Sequence, residues 1–576
     1  MPQLLRLASA GTLLCAVLAV AACGGGAERR DTGSGGTLTM LSGSDVDFLD
    51  PGHTAFAQGI QVAAATQRPL YGYRPNDPLT LVPDLAAGAP VISGGGRTIT
   101  VRLRRGVRFS PPVDREVRSR DVAYALERFF SINVGGEYTT YYSDLIGAPS
   151  TPTNGVRRIR GITTPDAHTI VFRLRSPTWS SFVGALTMPA SAPVPEEYAR
   201  PLDAHNPSTY NTHVVATGPY MVRNDAKGNT VGYQSGRLIE LVRNPSWSRS
   251  TDRRPAHLDA IRIRTNASDA TLAARQALAG SHVAYAVTPP ALVLKRLSQG
   301  SWDGQAVRVA SGDYRFLPIT TTIKPFDRLD VRKAVLAVFD RAGVRQTRGG
   351  AVTGPLATHF LGPGVPGYEE AGGARGAGVD YLSADRPGGD LSLARRYMVK
   401  AGFPTGRYTG DDTFLVVTGD TLTERNVALA VQAQFQKLGF RIRLRTVPDD
   451  ALFTNWCSVP SKRVLACSSV AWLRDFADAE PMLKPVFDGS SISRTSGNPN
   501  FSQLDDPAIN AAMARARTLT GHARAVAWGR VDDLIVGQAA GVPLQWDVVT
   551  LVHAKDVRGV ASSTFGSWDF SYTSLK

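Results

Sequence analysis

A strand, helix and strand in the second half of the chain constrain the fold more than any other feature of the sequence. Apolar residues cluster over 413–418 and alternate over 440–447, and a helical periodicity over 423–438 lies between them and ends at Gly439. Two strands joined by such a helix run parallel, with a right-handed crossover. The sequence therefore predicts an α/β protein with parallel strands.

The chain is too long for one compact core. It has 576 residues, whereas a single core stops growing at about 250–300 residues, so we expect two or three lobes. Residues 73–199 are typical of a lobe of short antiparallel strands with few helices. Strands alternate with helices after residue 260, and 464–472 is a further apolar strand ending at Trp472.

The N-terminus has the layout of an export signal. Arg6 precedes an apolar stretch, and Val20-Ala21-Ala22-Cys23 resembles the lipobox of bacterial lipoproteins, in which the cysteine is lipidated after cleavage. The polar, glycine-rich residues 24–36 are typical of a flexible tether. We therefore predict a signal peptide over 1–22, lipidation of Cys23, and a lipid anchor on the outer face of the cell membrane, in the extracytoplasmic space.

Two cysteines remain after removal of Cys15 with the signal and lipidation of Cys23. Cys457 and Cys467 could form a disulfide in an oxidising compartment or remain two separate buried thiols, and their spacing leaves both alternatives open. Neither these cysteines nor the dispersed histidines have the spacing of a metal site. The sequence predicts no metal and no cofactor.

Charge and motifs exclude several classes of protein. The net charge is +15, but the basic residues are scattered singly without interleaved aromatic residues, which argues against nucleic-acid binding. The phosphate-binding loop G-x-x-x-x-G-K-[ST], the zinc-protease motif H-E-x-x-H and the hydrolase motif G-x-S-x-G are missing from the sequence. Nucleotide hydrolysis, zinc-dependent proteolysis and nucleophile-elbow hydrolysis therefore lack their usual signatures.

An acidic segment over 469–481 is the main candidate site. Asp475, Asp478 and Glu480 follow the strand that ends at Trp472. They could act as the acid and base of a hydrolase, bind a hard cation, or neutralise a ligand ammonium. Asp475 is closest to the strand exit, where open α/β sheets bind ligands. A solvated loop explains Asp478 and Glu480 equally well.

Short motifs along the whole mature chain resemble those of the peptide-type solute-binding proteins of ABC importers, solute-binding family 5. They occur in family order and include Leu103-Arg104-Arg105-Gly106-Val107-Arg108-Phe109, Thr217-Gly218-Pro219-Tyr220 and Ala401-Gly402-Phe403-Pro404. The most specific are Pro325-Phe326-Asp327, Val331-Arg332-Lys333-Ala334 and Asp340-Arg341.

The resemblance implies a two-lobed periplasmic-binding-protein fold (α/β, type II, cluster C) with a hinge and an additional β-rich domain. It implies a monomeric receptor that captures a peptide or peptide-like solute and passes it to an ABC permease in the membrane, and that is not an enzyme. The expected divisions are domain I over 37–72, 200–312 and 553–576, domain II over 73–199, and domain III over 313–552. Rival hypotheses are a non-peptide solute such as a metal chelate or sugar, a signalling peptide, or a secreted hydrolase that uses Asp475 and Glu480.

The resemblance also assigns binding residues. Asp475 matches the aspartate that pairs with the N-terminal ammonium of a peptide, and Trp472 would supply packing. Thr320, Tyr314 and Thr54 are further candidates for the wall of the site. Arg474 could neutralise Asp475, although neighbouring residues of a strand point to opposite faces.

Overall fold

The computed structural model describes residues 34–448, 451–495, 497–562 and 566–576. The predicted signal peptide, Cys23 and residues 24–33 of the tether lie outside the described residues. In the ranges that are described, no helix is both long and apolar enough to cross a membrane.

The elements follow one another in a mixed α/β order. The strands are β1 (Thr37–Leu41), β2 (Tyr71–Arg74), β3 (Asp77–Pro83), β4 (Val91–Ser93), β5 (Thr98–Arg102), β6 (Ile162–Asp166), β7 (Thr169–Arg173), β8 (Tyr220–Val222), β9 (Tyr233–Gln234), β10 (Leu238–Arg243), β11 (Ala260–Arg264), β12 (Val283–Tyr285), β13 (Ala306–Pro318), β14 (Thr413–Thr418), β15 (Arg441–Thr446), β16 (Ala466–Cys467), β17 (Val470–Trp472), β18 (Gly541–His553), β19 (Val557–Arg558) and β20 (Ser574–Leu575). The α-helices are α1 (Ala57–Thr66), α2 (Ser119–Arg128), α3 (Trp179–Ala185), α4 (Glu196–Asp203), α5 (Ala270–Ala279), α6 (Ala291–Ser298), α7 (Leu329–Val338), α8 (Arg341–Arg348), α9 (Leu391–Lys400), α10 (Leu422–Lys437), α11 (Glu480–Phe487), α12 (Pro507–Ala516) and α13 (Gly521–Gly537).

The largest sheet has nine strands and passes through two hydrophobic cores. Its order is β17-β13-β18-β12-β1-β11-β10-β8, with β9 beside β10. One core contains apolar residues from β1, β8, β10, β11 and the C-terminal segment, and the other contains residues between positions 314 and 546. The antiparallel strands β13 and β18 run from one core into the other, and their register shifts between Ala310 and Tyr314.

A separate β-rich region has its own core. A four-stranded antiparallel sheet, β4-β5-β7-β6, packs with α2 and α3, and β2 and β3 form a hairpin. In β5 and β7 the buried residues alternate with exposed ones, as a sheet with one face on a core requires. Phe476, from the acidic segment, is fully buried in this core.

The predicted strand-helix-strand unit is confirmed. Strands β14 and β15 are parallel, and α10 connects them. Thr421 caps the helix by accepting a hydrogen bond from the Glu424 backbone. The segment ends at Gly439, whose φ of 88° lies in the left-handed region that glycine tolerates.

The single strand predicted over 464–472 is wrong. The structure has two short strands in different sheets: β16 pairs with β14, whereas β17 pairs with β13 at the edge of the nine-stranded sheet. The chain turns at Ser468 and Ser469 between them. A continuous apolar run shows burial but does not show which neighbour a strand pairs with, which is why the sequence did not reveal the break.

A buried ion cluster joins the end of α2 to Asp50 in the N-terminal part of the chain and to Asp203 at the end of α4. The Arg128 side chain is fully buried and donates two hydrogen bonds to Asp50, at 2.7 Å each, and two to Asp203, at 2.6 and 2.7 Å. The two carboxylates raise the pKa of Arg128, overcoming the effect of burial. The Nε, Nη1 and Nη2 atoms of the guanidinium therefore all donate to carboxylate oxygens.

We expect Arg128→Met to lower the free energy of unfolding by about 3–5 kcal/mol, because two buried carboxylates lose their cation. Urea denaturation followed by circular dichroism measures the change. Arg275→Met, on the exposed side of α5, is the control and should stay within about 0.5 kcal/mol of the wild type. Equal effects of the two substitutions would contradict the assignment.

Candidate functional site

Loops from three parts of the chain enclose a cavity of about 560 Å³. The N-terminal part supplies Ala55 and Phe56, and the β-rich region supplies residues 137–141. The remaining wall comes from the segment after β16 and its surroundings: Phe453, Ala471, Trp472, Leu473, Asp475, Lys484, Pro485, Ser490, Ser491, Gly497, Pro499 and Phe501. This cavity lies where the predicted acidic segment meets the other lobe, so it is the candidate site.

Asp475 is a buried carboxylate in the cavity wall. The residue is 4% exposed, and the Tyr141 hydroxyl donates to its Oδ2 at 2.5 Å. Its Oδ1 accepts no hydrogen bond from the described residues, and none of their basic side chains lies within 4.0 Å. Burial raises the pKa of Asp475 to about 7, and the hydrogen bond from Tyr141 opposes that rise only in part.

The Arg474 side chain points away from Asp475. Its guanidinium lies over Gly312, where an added Cβ would be 2.6 Å from the guanidinium carbon. Burial lowers the pKa of Arg474, and the nearby Asp313 and Tyr73 oppose that effect. The two neighbours therefore take opposite sides of the chain, as in an extended strand, and Arg474 does not neutralise Asp475.

Asp478 and Glu480 are not part of a solvated loop, and this expectation is wrong. Arg524 holds Asp478 at 2.7 and 2.9 Å, and Glu480 contacts Arg517 at 2.6 Å and Arg524 at 3.2 Å. Ser181, from the β-rich region, donates a short hydrogen bond to Glu480. Burial raises the pKa of Glu480 but the two arginines more than reverse that effect, so the net shift is downward. These carboxylates are structural charges that join two cores.

The arrangement gives no support to hydrolysis by Asp475 and Glu480. A general acid and base must both reach the substrate, but Glu480 is 1% exposed, is held by two arginines, and does not line the cavity.

The other predicted wall residues lie in different surroundings. Trp472 is in the cavity wall, and its indole donates to the Pro481 carbonyl at 2.7 Å. Tyr314 is fully buried in the core formed by residues between positions 314 and 546, and the Thr320 hydroxyl donates to the Val464 carbonyl at 2.7 Å. Both residues belong to a mostly apolar stretch of chain that packs into the core, and neither lines the cavity. Thr54 donates to Asp47 at 2.6 Å, so its neighbours Ala55 and Phe56 form the wall instead.

A disulfide joins Cys457 and Cys467. Cys457 ends the π-helical turn Leu452–Cys457, whereas Cys467 lies on β16. The same turn carries Phe453 to the cavity wall, with its ring 5.8 Å from that of Phe501. The bond therefore ties an aromatic part of the wall to the three-stranded sheet β15-β14-β16.

The sequence matches a known family over most of its length. Residues 80–494 match the family described as bacterial extracellular solute-binding proteins, family 5 Middle. The chain belongs to this family. The predicted family and its two-lobed α/β fold are confirmed, and the family is one of non-enzymatic binding proteins.

Individual relatives of this family 5 protein agree with the match. A dipeptide-binding protein of Pseudomonas aeruginosa is 24% identical over 494 residues, which is 82% of this chain and 83% of that protein. The solved structure of clavulanic acid biosynthesis oligopeptide binding protein 2 is 30% identical, with a TM-score of 0.78, and the match covers 94% of this chain and 96% of that one. The Helicobacter pylori binding protein DppA, in complex with peptide STSA, shares the fold at 19% identity and a TM-score of 0.75, with coverage of 94% and 99%.

Tyr141, Glu137 and Lys484 are wall residues of the family 5 protein that sequence reasoning missed. The first two lie in the segment Glu137-Tyr138-Thr139-Thr140-Tyr141-Tyr142, whose density of tyrosines beside a carboxylate was a usable signal. Their separation from Asp475 by more than 300 positions hid the contact. Lys484 follows Glu480 by one helical turn and forms an ion pair with Asp488 at 3.4 Å.

The raised pKa of Asp475 predicts a pH dependence of stability. Between the unfolded value of 3.8 and about 7, the folded protein retains a proton that the unfolded chain has lost. Wild-type stability therefore falls as pH rises, by up to about 1.4 kcal/mol per pH unit from this group. Asp475→Asn removes that loss, so the variant should gain stability relative to the wild type from pH 4 to pH 8. Urea denaturation at several pH values measures the difference, and a constant difference would contradict the assigned burial.

Proposed function

We propose that the protein is an extracytoplasmic receptor of an ABC importer that binds the N-terminal ammonium of a peptide or peptide-like solute through Asp475. One observation carries the proposal: a buried carboxylate lines the cavity and has a neutral tyrosine hydroxyl as its hydrogen-bond partner. The names of relatives described as dipeptide-binding and oligopeptide binding proteins support the same ligand class.

An ammonium would relieve the electrostatic cost of this site. Burying an ionised carboxylate without a cation is unfavourable, which is why the pKa of Asp475 is raised. A ligand ammonium at hydrogen-bond distance from Oδ1 would favour the ionised form and leave Tyr141 in place. Binding energy then comes from a charge that the protein has already desolvated.

Closure would follow from the strand pair that joins the lobes. The register shift of β13, between Ala310 and Tyr314, lies near position 313, where we expect one domain to end and the next to begin. A ligand that contacts both sides of the cavity would stabilise the closed state, which the membrane permease would recognise. Lipidation at Cys23 would hold this monomeric receptor near the permease.

A neutral, hydroxylated solute such as a sugar is the second candidate. It is favoured by the pKa of about 7 at Asp475, since a protonated carboxyl can donate a hydrogen bond to a hydroxyl group. A comparison of the affinities of free and N-acetylated peptides separates a peptide ligand from a sugar-like one.

We expect Asp475→Asn to weaken binding of an unblocked tripeptide by about 100-fold, because the ligand ammonium loses its charge partner in a desolvated site. Isothermal titration calorimetry with free and N-acetylated forms of the same peptide tests this. Acetylation of the peptide should abolish most of its affinity for the wild type. The acetylated peptide should then bind the variant and the wild type with equal affinity. Asp411→Asn, at a side chain that is 94% exposed, is the control.

If the free and acetylated peptides bind equally well to the wild type, the ammonium role is refuted. Mass spectrometry of the solute that co-purifies with the protein would then identify a non-peptide ligand directly.

A further inference from the structure

The cavity is acidic although the chain as a whole is basic. Asp475 and Glu137 both line it, and Lys484 is the one basic side chain among the described wall residues. Lys484 already pairs with Asp488 at 3.4 Å. Because the net charge of the chain is +15, the average field of the protein would repel cations, so the local negative charge is specific to the cavity.

Glu137 carries a charge that the described residues leave uncompensated. It is exposed to the cavity, and no basic side chain in the described ranges lies within 4.0 Å of it. Partial burial raises the pKa of Glu137, and the charge of Asp47 raises it further. Asp47 is fixed in place by Thr54 Oγ1 at 2.6 Å and by the backbone N–H groups of Ala55 and Phe56. Asp47 therefore adds negative electrostatic potential beside Glu137.

A pair of tyrosine rings lines the same cavity as the two acidic groups. Tyr138 and Tyr141 stack with their ring centres 6.0 Å apart and their planes at 16°. Tyr141 contacts Asp475, and Tyr138 experiences the charges of Asp475, Glu137 and Asp47, which together with burial raise its pKa. The faces of such rings attract a guanidinium or an ammonium.

Asp475 supplies an independent sign that this cavity receives a ligand. Asp475 lines the cavity, and its side chain is more than nine-tenths buried. Its Oδ1 accepts no hydrogen bond from the described residues. One ligand ammonium would satisfy this oxygen. It would not also compensate Glu137, which lies on a different loop.

We propose that Glu137, with Asp47 behind it, selects peptides that carry a second positive charge, on an arginine or lysine side chain next to the N-terminus. This inference rests on the proposed function, because the ammonium at Asp475 sets which ligand side chain can reach Glu137. The Tyr138 ring gives arginine the advantage, since its planar guanidinium can stack on the ring and donate to the carboxylate at once.

The test compares the tripeptides Arg-Ala-Ala and citrulline-Ala-Ala by isothermal titration calorimetry. Citrulline keeps the shape of arginine and removes its charge. The wild type should bind the arginine peptide about five to ten times more tightly, a factor in the range of partly exposed charge pairs at interfaces. In Glu137→Gln this ratio should fall to about one, and in Glu137→Lys it should fall below one. Thermal unfolding confirms that the variants fold.

Two results overturn the inference. If the wild type binds both peptides equally, or if Glu137→Gln keeps the wild-type ratio, Glu137 does not select charge. N-acetylated forms of both peptides separate this failure from that of the proposed function. If acetylation strongly weakens binding but the arginine and citrulline peptides bind equally well, only the selectivity is refuted. If acetylation has no effect on binding, the ammonium role and the selectivity are both refuted.

Discussion

The antiparallel pair of β13 and β18 is the connection on which the arrangement of the lobes depends. Its register pairs Val309 with Val549, which pack against one core, and Leu317 with Val542, which lie in the other, with an irregularity over 311–313. A bulge leaves ladder hydrogen bonds unmade and increases local twist, so the pair can bend there while each end stays inside a packed core. The Arg474 guanidinium lies over Gly312 at this point, which directs the next residue, Asp475, to the cavity side.

The three carboxylates of the acidic segment differ through their partners. Arg524 and Arg517 neutralise Asp478 and Glu480, and Phe476 is buried in the β-rich core. Removing a partner from such a buried pair is costly, so the segment is held rigidly on both sides of Asp475. Asp475 itself receives a tyrosine hydroxyl and no guanidinium. The same short stretch of chain therefore provides two structural charges and one carboxyl group in the cavity wall.

Local patterns were sufficient to predict the parts of the fold that are local. The unit of β14, α10 and β15 followed from periodicity and from Gly439, because its strands lie on either side of one helix in sequence. The break between β16 and β17 could not be predicted, since both strands are equally apolar and differ only in their distant partners. The burial of Glu480 was missed for the same reason: Ser181 and Arg517 lie 299 and 37 residues away. Asp475 was predicted through the family resemblance, but its contact with Tyr141 required the structure.

The carboxylates of the cavity differ from several core carboxylates in their charged partners. The core carboxylates Asp50, Asp203, Asp532 and Asp547 contact Arg128, His359 or Arg315, as expected for charges removed from water. Asp475 and Glu137 lack such a cation among the described residues, and burial raises the pKa of each. Pairing is not universal, because Asp313 is a further buried carboxylate without a salt bridge among the described residues, and burial raises its pKa to about 7. What distinguishes Asp475 and Glu137 from Asp313 is that both line the cavity, and perturbed carboxylates in a cleft are the kind of group that concentrates at functional sites.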